Sequence, residues 1–367
     1  MKITGIDAFS YDLTYAHGEY VMSGGRAALA QSSTLVKIST DEGIVGWAEA
    51  CPLGGTYLPA FPYGIRAAVR EMAPHLIGQD PTRLTSIHET MNAVLLEQNA
   101  AKSPIDIACW DILGKSAGLP IAAMIGGVSQ ETFPLYEAVP LTSPEGMAEF
   151  CIRRGETGIN RFQLKVGNDP YEDAARTRAV VEATKGEAFI IADSNGGWNL
   201  RQAVVAAREM EGLDIILEQP CRELADCALV QKMSSLPLSL DECVTSANEL
   251  YRAKFDAGAV ALNIKLGRLG GISGAVLIRD LATQLGMIFT IEDVWGGDVA
   301  SAAIAQVAGS ARPDALMHAS FFNDWTNEHV AGYAPRSQNG RGQVPKASGL
   351  GIEIDEAALG EPIFSIR

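Results

Sequence analysis

Hydrophobic and polar positions alternate from the first residues, so that MKITGIDAFSYDL has the period of a strand. Residues 34–50 (TLVKISTDEGIVGWAEA) alternate, break at Asp41-Glu42-Gly43 and alternate again, which predicts a hairpin. Helical spacing takes over at 65–76 and again at 103–117. The second stretch, SPIDIACWDILGKSAG, opens on Ser103-Pro104, a pair suited to the N-cap and first helical position, and stops at Gly118. Residues 119–127 (LPIAAMIGG) then break the pattern. From Thr132 onward short β-rich runs recur: TFPLYEAV, RFQLKVG, AFIIADSN, IILEQP, LPLSLDE, AVALNIKLG, GMIFTIED and ALMHASF. Their starts lie roughly 20–30 residues apart, with amphipathic segments such as 171–184 and 200–210 between them. That period predicts parallel strands joined by crossover helices.

Eight such units in about 190 residues fit a closed (β/α)8-type barrel, a modified TIM barrel of the α/β class. An open doubly wound sheet would usually carry a Gly-rich phosphate loop after its first strand, and none is present. The expected organisation is an α+β capping domain over 1–127 and a catalytic barrel over 128–322. A segment rich in Gly and turn residues, 323–367, is expected to pack back on the capping domain.

Composition adds exclusions. Apolar residues make up 47% of the 367 residues and charged residues 20%, as in an ordinary soluble enzyme. A formal charge of -15 disfavours nucleic acid or an anionic membrane as partner. It leaves an anionic substrate open, because a bound divalent cation reverses the local field. The six cysteines contain no CxxC pair and read as small buried hydrophobes in a reducing compartment. No apolar stretch approaches the ~20 residues of a membrane span, and the N-terminus lacks a signal architecture, so a cytoplasmic enzyme is expected.

The candidate chemistry sits at one place in each barrel unit. Strand runs end in Lys165, Asp193 and Asn195, Glu218 and Gln219, Asp241 and Glu242, Lys265, Glu292 and Asp293, and His318. In a barrel these positions converge on the face that carries active sites. Asp193, Glu218 and Asp241 close the third, fourth and fifth strands. Three adjacent carboxylates repel one another, and an oxygen-only set without His or Cys points to Mg2+. The bland alternative, a surface salt-bridge network, suits each acid alone better than all three in register. Lys165 and Lys265 close the second and sixth strands, on opposite sides of that metal. A desolvated lysine beside a cation can act as a base, and two can serve both faces of one carbon. Mg2+ on carboxylate oxygens would stabilise the charge that removal of an α proton creates. A non-catalytic scaffold barrel would not need the complete set of acids and lysines.

These motifs resemble the enolase superfamily, in its muconate-lactonizing-enzyme-like subgroup, across essentially the whole chain. The carrying segments are QLK ending at Lys165, DSN from Asp193, EQP from Glu218, LDE from Leu240 and NIKLGRLGGI from Asn263. The resemblance implies Asp193, Glu218 and Asp241 as Mg2+ ligands and Lys165 with Lys265 as the acid/base pair. The family's KxK is here Gln163-Leu164-Lys165, which keeps the base and changes its neighbour. Gln163, Asn195 and Glu242 are expected in supporting positions. The Asp-His dyad of the mandelate-racemase-like members is missing, since the sixth strand offers Lys265 and the seventh Glu292-Asp293.

Two capping-domain segments, 20–26 (YVMSGGR) and 51–59 (CPLGGTYLP), with IEDVWGGD from Ile291, resemble the members acting on proline derivatives. These are cis-3-hydroxy-L-proline dehydratases and the 2-epimerases of hydroxyproline or proline betaine. Dehydration to Δ1-pyrroline-2-carboxylate is the leading expectation, and epimerisation or racemisation of an amino-acid derivative the alternative. Asp293 would then pair with the substrate nitrogen, and Tyr20, Tyr57, Trp295 and Trp325 would pack on the ring or hold a quaternary ammonium. The resemblance further implies a small-molecule substrate and a homo-oligomer.

Overall fold

The N-terminal alternation forms β1 (Ile3–Thr14); the short strands β2 (Tyr20–Val21) and β3 (Ala27–Ala28) pair with each other before β4 (Ala30–Thr40) returns antiparallel along β1. The computed structural model describes residues 1–367. The expected hairpin is present, with β4 leading into β5 (Val45–Ala50) through a turn in which Gly43 adopts φ 76°, a conformation free of Cβ cost only for glycine. The sheet is covered by α1 (Pro62–Leu76) and α3 (Asn99–Ala117), with α2 (Leu84–Val94) lying against both helices. Gly46 on β5 lets α3 approach, since a Cβ there would stand 2.1 Å from the Ala108 carbonyl oxygen.

Two features differ from expectation. Helix α2 was not predicted, because its buried stripe is only Ile87 and Met91, too sparse to stand out. Helix α3 begins about one turn before Ser103-Pro104, so that pair is interior and buried rather than a cap. Pro104 removes one N–H from the helical ladder, and burial of Ala101, Ser103 and Ile105 favours the longer helix. Its predicted end holds, at Gly118 with φ 67°.

After α4 (Ile121–Met124) the run 132–139 divides: β6 (Thr132–Pro134) leaves for another partner and β7 (Glu137–Val139) enters the barrel. The barrel continues with β8 (Arg161–Lys165), β9 (Phe189–Asp193), β10 (Ile216–Glu218), β11 (Leu238–Leu240), β12 (Ala261–Lys265), β13 (Ile288–Glu292) and β14 (Leu316–Ala319). These eight strands are parallel and neighbour one another in chain order. A bridge between Leu135 and Ala319, with Tyr136 N–H donating to Ala319 O at 3.0 Å, closes the ring.

Seven helices make the crossovers: α5 (Pro144–Gly155), α6 (Pro170–Ala183), α7 (Leu200–Glu209), α8 (Leu224–Lys232), α9 (Ala247–Phe255), α10 (Ile272–Gln284) and α11 (Asp298–Ser310). No crossover helix follows the eighth strand. After β14 the chain makes a 3-10 turn, Phe322–Asp324, then β15 (Arg341–Gln343) pairs with β6 and β16 (Phe364–Ile366) pairs antiparallel with β1. The carboxylate of Asp106 on α3 accepts from Ser273 N at 3.1 Å and from its Oγ at 2.5 Å, tying the first domain to the start of α10. No helix is long and apolar enough to cross a membrane.

Candidate active site

Residues two apart on a strand share a face, so each barrel strand sends alternate side chains inward. At one depth Ile191, Ile216, Ala261 and Met317 form a small apolar cluster with Phe189 and Ile288. One step further along the same strands the inward residues turn polar: Asp193, Glu218, Asn263 and Lys265, Thr290 and Glu292. Parallel register sets Lys165 beside Asp193, Asp193 beside Glu218, and Lys265 beside Glu292. Lys165 on the second strand and Lys265 on the sixth are four strands apart in a ring of eight, so they stand on opposite walls.

Every charge in this layer has a partner. Lys165 Nζ donates to Asp193 Oδ2. Lys265 Nζ donates to Asp241 Oδ2 at 2.7 Å and to the Tyr57 hydroxyl at 2.6 Å, and lies 3.5 Å from Glu292 Oε1. Tyr57 in turn donates to Asp241 Oδ2 at 3.1 Å, and the Arg268 guanidinium donates to Asp241 Oδ1. Glu218 has amide donors: Gln163 Nε2 at 3.1 and 3.2 Å and Asn263 Nδ2 at 2.7 Å. The Tyr136 hydroxyl donates to Glu292 Oε2, and Asn195 Nδ2 donates to Glu242 Oε1 at 3.0 Å.

The backbone is bent to serve these groups. Asn195 (φ 47°) and Gln219 (φ 37°), just past β9 and β10, lie in the left-handed region that costs a non-glycine residue roughly 1–2 kcal/mol. Side-chain bonds hold the bends: Asn195 N–H donates to Asp193 Oδ1 at 2.8 Å, and Gln219 Oε1 accepts from Asp241 N at 2.9 Å. The second bond fixes the strand end from which Asp241 projects.

Burial sets the electrostatics. It pushes the Glu218 carboxyl far above its ordinary range, and the charges of Asp193 and Asp241 push it further. Burial also raises Asp241, but Arg268 and Lys265 outweigh it and hold that carboxyl below its usual value. For both lysines burial favours the neutral amine. The carboxylates beside them, Asp193 for Lys165 and Asp241 for Lys265, prevail and raise the ammonium pKa. Asp293 is pushed up to about 7 by burial, against donors from Val294 N at 2.8 Å and Gly267 N at 3.0 Å.

Asp193, Glu218 and Asp241 do not converge to the mutual spacing of a ligand set here, because Asp193 and Asp241 are each turned toward a cation. The charge balance nevertheless fits a divalent cation. Five buried carboxyl groups (Asp193, Glu218, Asp241, Glu292, Asp293) share three buried cations (Lys165, Lys265, Arg268). Glu218 in particular carries two acidic neighbours and no cationic hydrogen-bond partner. Oxygen donors short of positive charge suit Mg2+.

Above this layer lies an inner cavity. Its walls include Lys165, Lys265, Gln163, Asn195, Asp293, Tyr20, Tyr57, Trp295 and Trp325, all singled out in the sequence. Glu242 belongs instead to an outer cavity that meets the inner one at Tyr57 and Asn195. Both capping segments reach the barrel mouth: Tyr20 and Met22 from the first, Leu53 and Tyr57 from the second. The structure adds Tyr136, Asn263, Arg268 and Phe322. Asn263 was within reach of sequence reasoning, since it lies two residues before Lys265 and must share its face. Tyr136 carries no such signal. His318 does not line the cavity; it is buried against Tyr136 and Phe189.

Residues 17–126 match the model of the mandelate racemase/muconate lactonizing enzyme N-terminal domain, and residues 146–358 that of the enolase C-terminal domain-like family. The chain is 39% identical to cis-3-hydroxy-L-proline dehydratase of Roseibium aggregatum, over 99% of each chain. It is 31% identical to the N-succinyl-L-Arg/Lys racemase of Bacillus cereus, over 98% of each. A mandelate racemase/muconate lactonizing enzyme structure from Roseovarius nubinhibens ISM, complexed with magnesium, superimposes with a TM-score of 0.96 at 32% identity and full coverage of both chains.

Proposed function

This chain is an enzyme of the mandelate racemase/muconate lactonizing enzyme family within the enolase superfamily, and from that premise we propose that it dehydrates cis-3-hydroxy-L-proline. The observation that carries the reading is the pair of opposed lysines lining one cavity, walled by a buried acid and aromatic rings. In the cis isomer the carboxylate and the 3-hydroxyl share one ring face, so the C2 hydrogen lies on the other. Elimination then needs a base on one face and an acid on the opposite one, and Lys165 and Lys265 offer that geometry. The relative of highest identity reported above carries the same reaction in its name.

The residues divide the work. Asp193, Glu218 and Asp241 would hold Mg2+, which would supply positive charge to the substrate carboxylate. One lysine takes the C2 proton. The electron pair becomes the C2–C3 double bond as the C3–O bond breaks, and the opposite ammonium gives the departing oxygen its proton. The enamine then gains a proton at C3 and loses one from nitrogen, giving Δ1-pyrroline-2-carboxylate. Asp293 holds the cationic ring nitrogen; Tyr20, Trp295 and Trp325 pack on the ring and exclude water. Gln163 and Asn263 orient Glu218, and Asn195 links Asp193 to Glu242.

Incubation with cis-3-hydroxy-L-proline in D2O tests the reading. A cyclic imine is the expected product. Deuterium at C2 without elimination would instead establish the second reading, epimerisation at C2, which the opposed lysines also favour and which a racemase relative accompanies.

The acid at Asp293 sets a pH dependence. With its pKa raised to about 7, Asp293 is neutral below that pH and anionic above it. Lys265 and Glu292 are the charged groups facing it, and they act in opposite directions. For a cationic substrate kcat/KM is expected to climb as pH rises through about 7. Asp293→Asn should flatten that limb and raise KM more than it lowers kcat. A limb of the same midpoint in the variant would remove Asp293 from this role.

A further inference from the structure

We propose that the indole N–H of Trp295 donates a hydrogen bond to the ring hydroxyl of the substrate and favours its departure, a step that rests on the dehydration reading above. Trp295 is 2% exposed, yet its Nε1 has no hydrogen-bond partner. A buried indole N–H ordinarily finds an acceptor, because desolvating it unpaired costs free energy. Three side chains that line the inner cavity carry buried polar atoms without a hydrogen bond: Asn195 Oδ1, Glu292 Oε1 and Trp295 Nε1. The first two are acceptors. Trp295 is the one donor.

The indole is held in place before any substrate arrives. Ring centroids of Tyr20, Phe322, Trp325 and Tyr15 stand 5.1, 5.6, 5.7 and 5.9 Å from it. The backbone that follows is anchored as well. Glu49, buried on β5 of the capping domain, accepts from Gly297 N at 2.9 Å and Ala300 N at 3.0 Å. Its Oε1 also accepts from Tyr11 and Ser33, so the carboxylate is fixed on its own side too. A donor fixed in this way loses little entropy on use.

Elimination among the substrate's acceptors identifies the partner. The carboxylate would lie against the Mg2+ that Asp193, Glu218 and Asp241 would hold, and the ring nitrogen, being cationic, accepts nothing and belongs at Asp293. The hydroxyl oxygen is the remaining acceptor, and Trp295 lies two residues beyond Asp293 on the same strand end. The N–H keeps its proton throughout. It stabilises negative charge growing on the oxygen while the C3–O bond breaks, and water forms by proton transfer from the lysine on that face.

Trp295→Phe keeps an aromatic ring and removes the donor. For cis-3-hydroxy-L-proline in D2O the expected result is imine formation slowed about tenfold or more, the scale of one lost hydrogen bond. Deuterium exchange at C2 should then accumulate in the unconverted substrate. L-Proline, which has no hydroxyl to hold, serves as the internal control for fold, bases and ring packing: imine formation in the variant should fall about tenfold further than its C2 exchange with L-proline does. Unchanged imine formation in the variant overturns the hydrogen bond, as does an equal loss of L-proline exchange. Absence of imine with the parent enzyme overturns the dehydration reading and this proposal with it.

Discussion

Lys265→Ala is expected to lower turnover by roughly 10²- to 10⁴-fold, the range a positioned acid or base contributes. The loss should be asymmetric. In D2O, proton NMR should show C2 exchange abolished for one C2 epimer of the substrate and retained, at Lys165, for the other. Lys165→Ala should reverse the preference. The asymmetry follows from topology, because the two lysines stand on opposite walls of the ring and each meets a different substrate face. The variant should still fold, since Asp241 keeps Arg268 and the Tyr57 hydroxyl as partners after the ammonium is gone. Equal residual exchange from both epimers would contradict a two-base site.

Removal of divalent metal is expected to be as damaging, with exchange at C2 and elimination both lost in EDTA and restored by Mg2+. Binding has a readout apart from activity. A ligand taken up only by the folded chain stabilises it, by about 2.7 kcal/mol at a hundred times its Kd, so Mg2+ should raise the Tm. Glu218→Gln should weaken that response most clearly. Glu218 has Asp193 and Asp241 as acidic neighbours and only amide donors, so it is the carboxylate least compensated by the protein itself. Asp241 is a poorer test, because its replacement also strips partners from Lys265, Arg268 and Tyr57. Full activity in EDTA together with a Tm indifferent to Mg2+ would refute the metal assignment.

Both predictions concern residues that the sequence exposes for a simple reason. A buried parallel strand is a short apolar run, and a charged residue at its end interrupts the run at a fixed place. Asp193, Glu218 and Lys265 are each the last residue of their strand, and Asp241 is the first beyond its own. The repeat of strand and amphipathic helix is likewise local, and the parallel barrel follows from it. The capping segments were legible as well, through Tyr20 and Tyr57, which reach the inner cavity. Less legible were elements whose boundaries depend on what they pack against. Helix α3 runs through Ser103-Pro104 because its first turn is buried, a fact that no cap signal encodes. Helix α2 buries too little to announce itself.

By itself, then, the sequence determined the period of the barrel, the acids and lysines at its strand ends, and the family to which their motifs belong. Each is a matter of spacing along the chain. Tertiary structure alone decided which of those groups touch. It set Tyr57, from the capping domain, between Lys265 and Asp241, placed Tyr136 on Glu292, and let Glu49 grip the loop that carries Trp295. The partners in these contacts are separated by more than 150 residues, and a hydrogen bond depends on distance in space, which periodicity along a strand does not record. The bare N–H of Trp295 belongs to the same class: only the packed structure shows a donor with nothing to donate to.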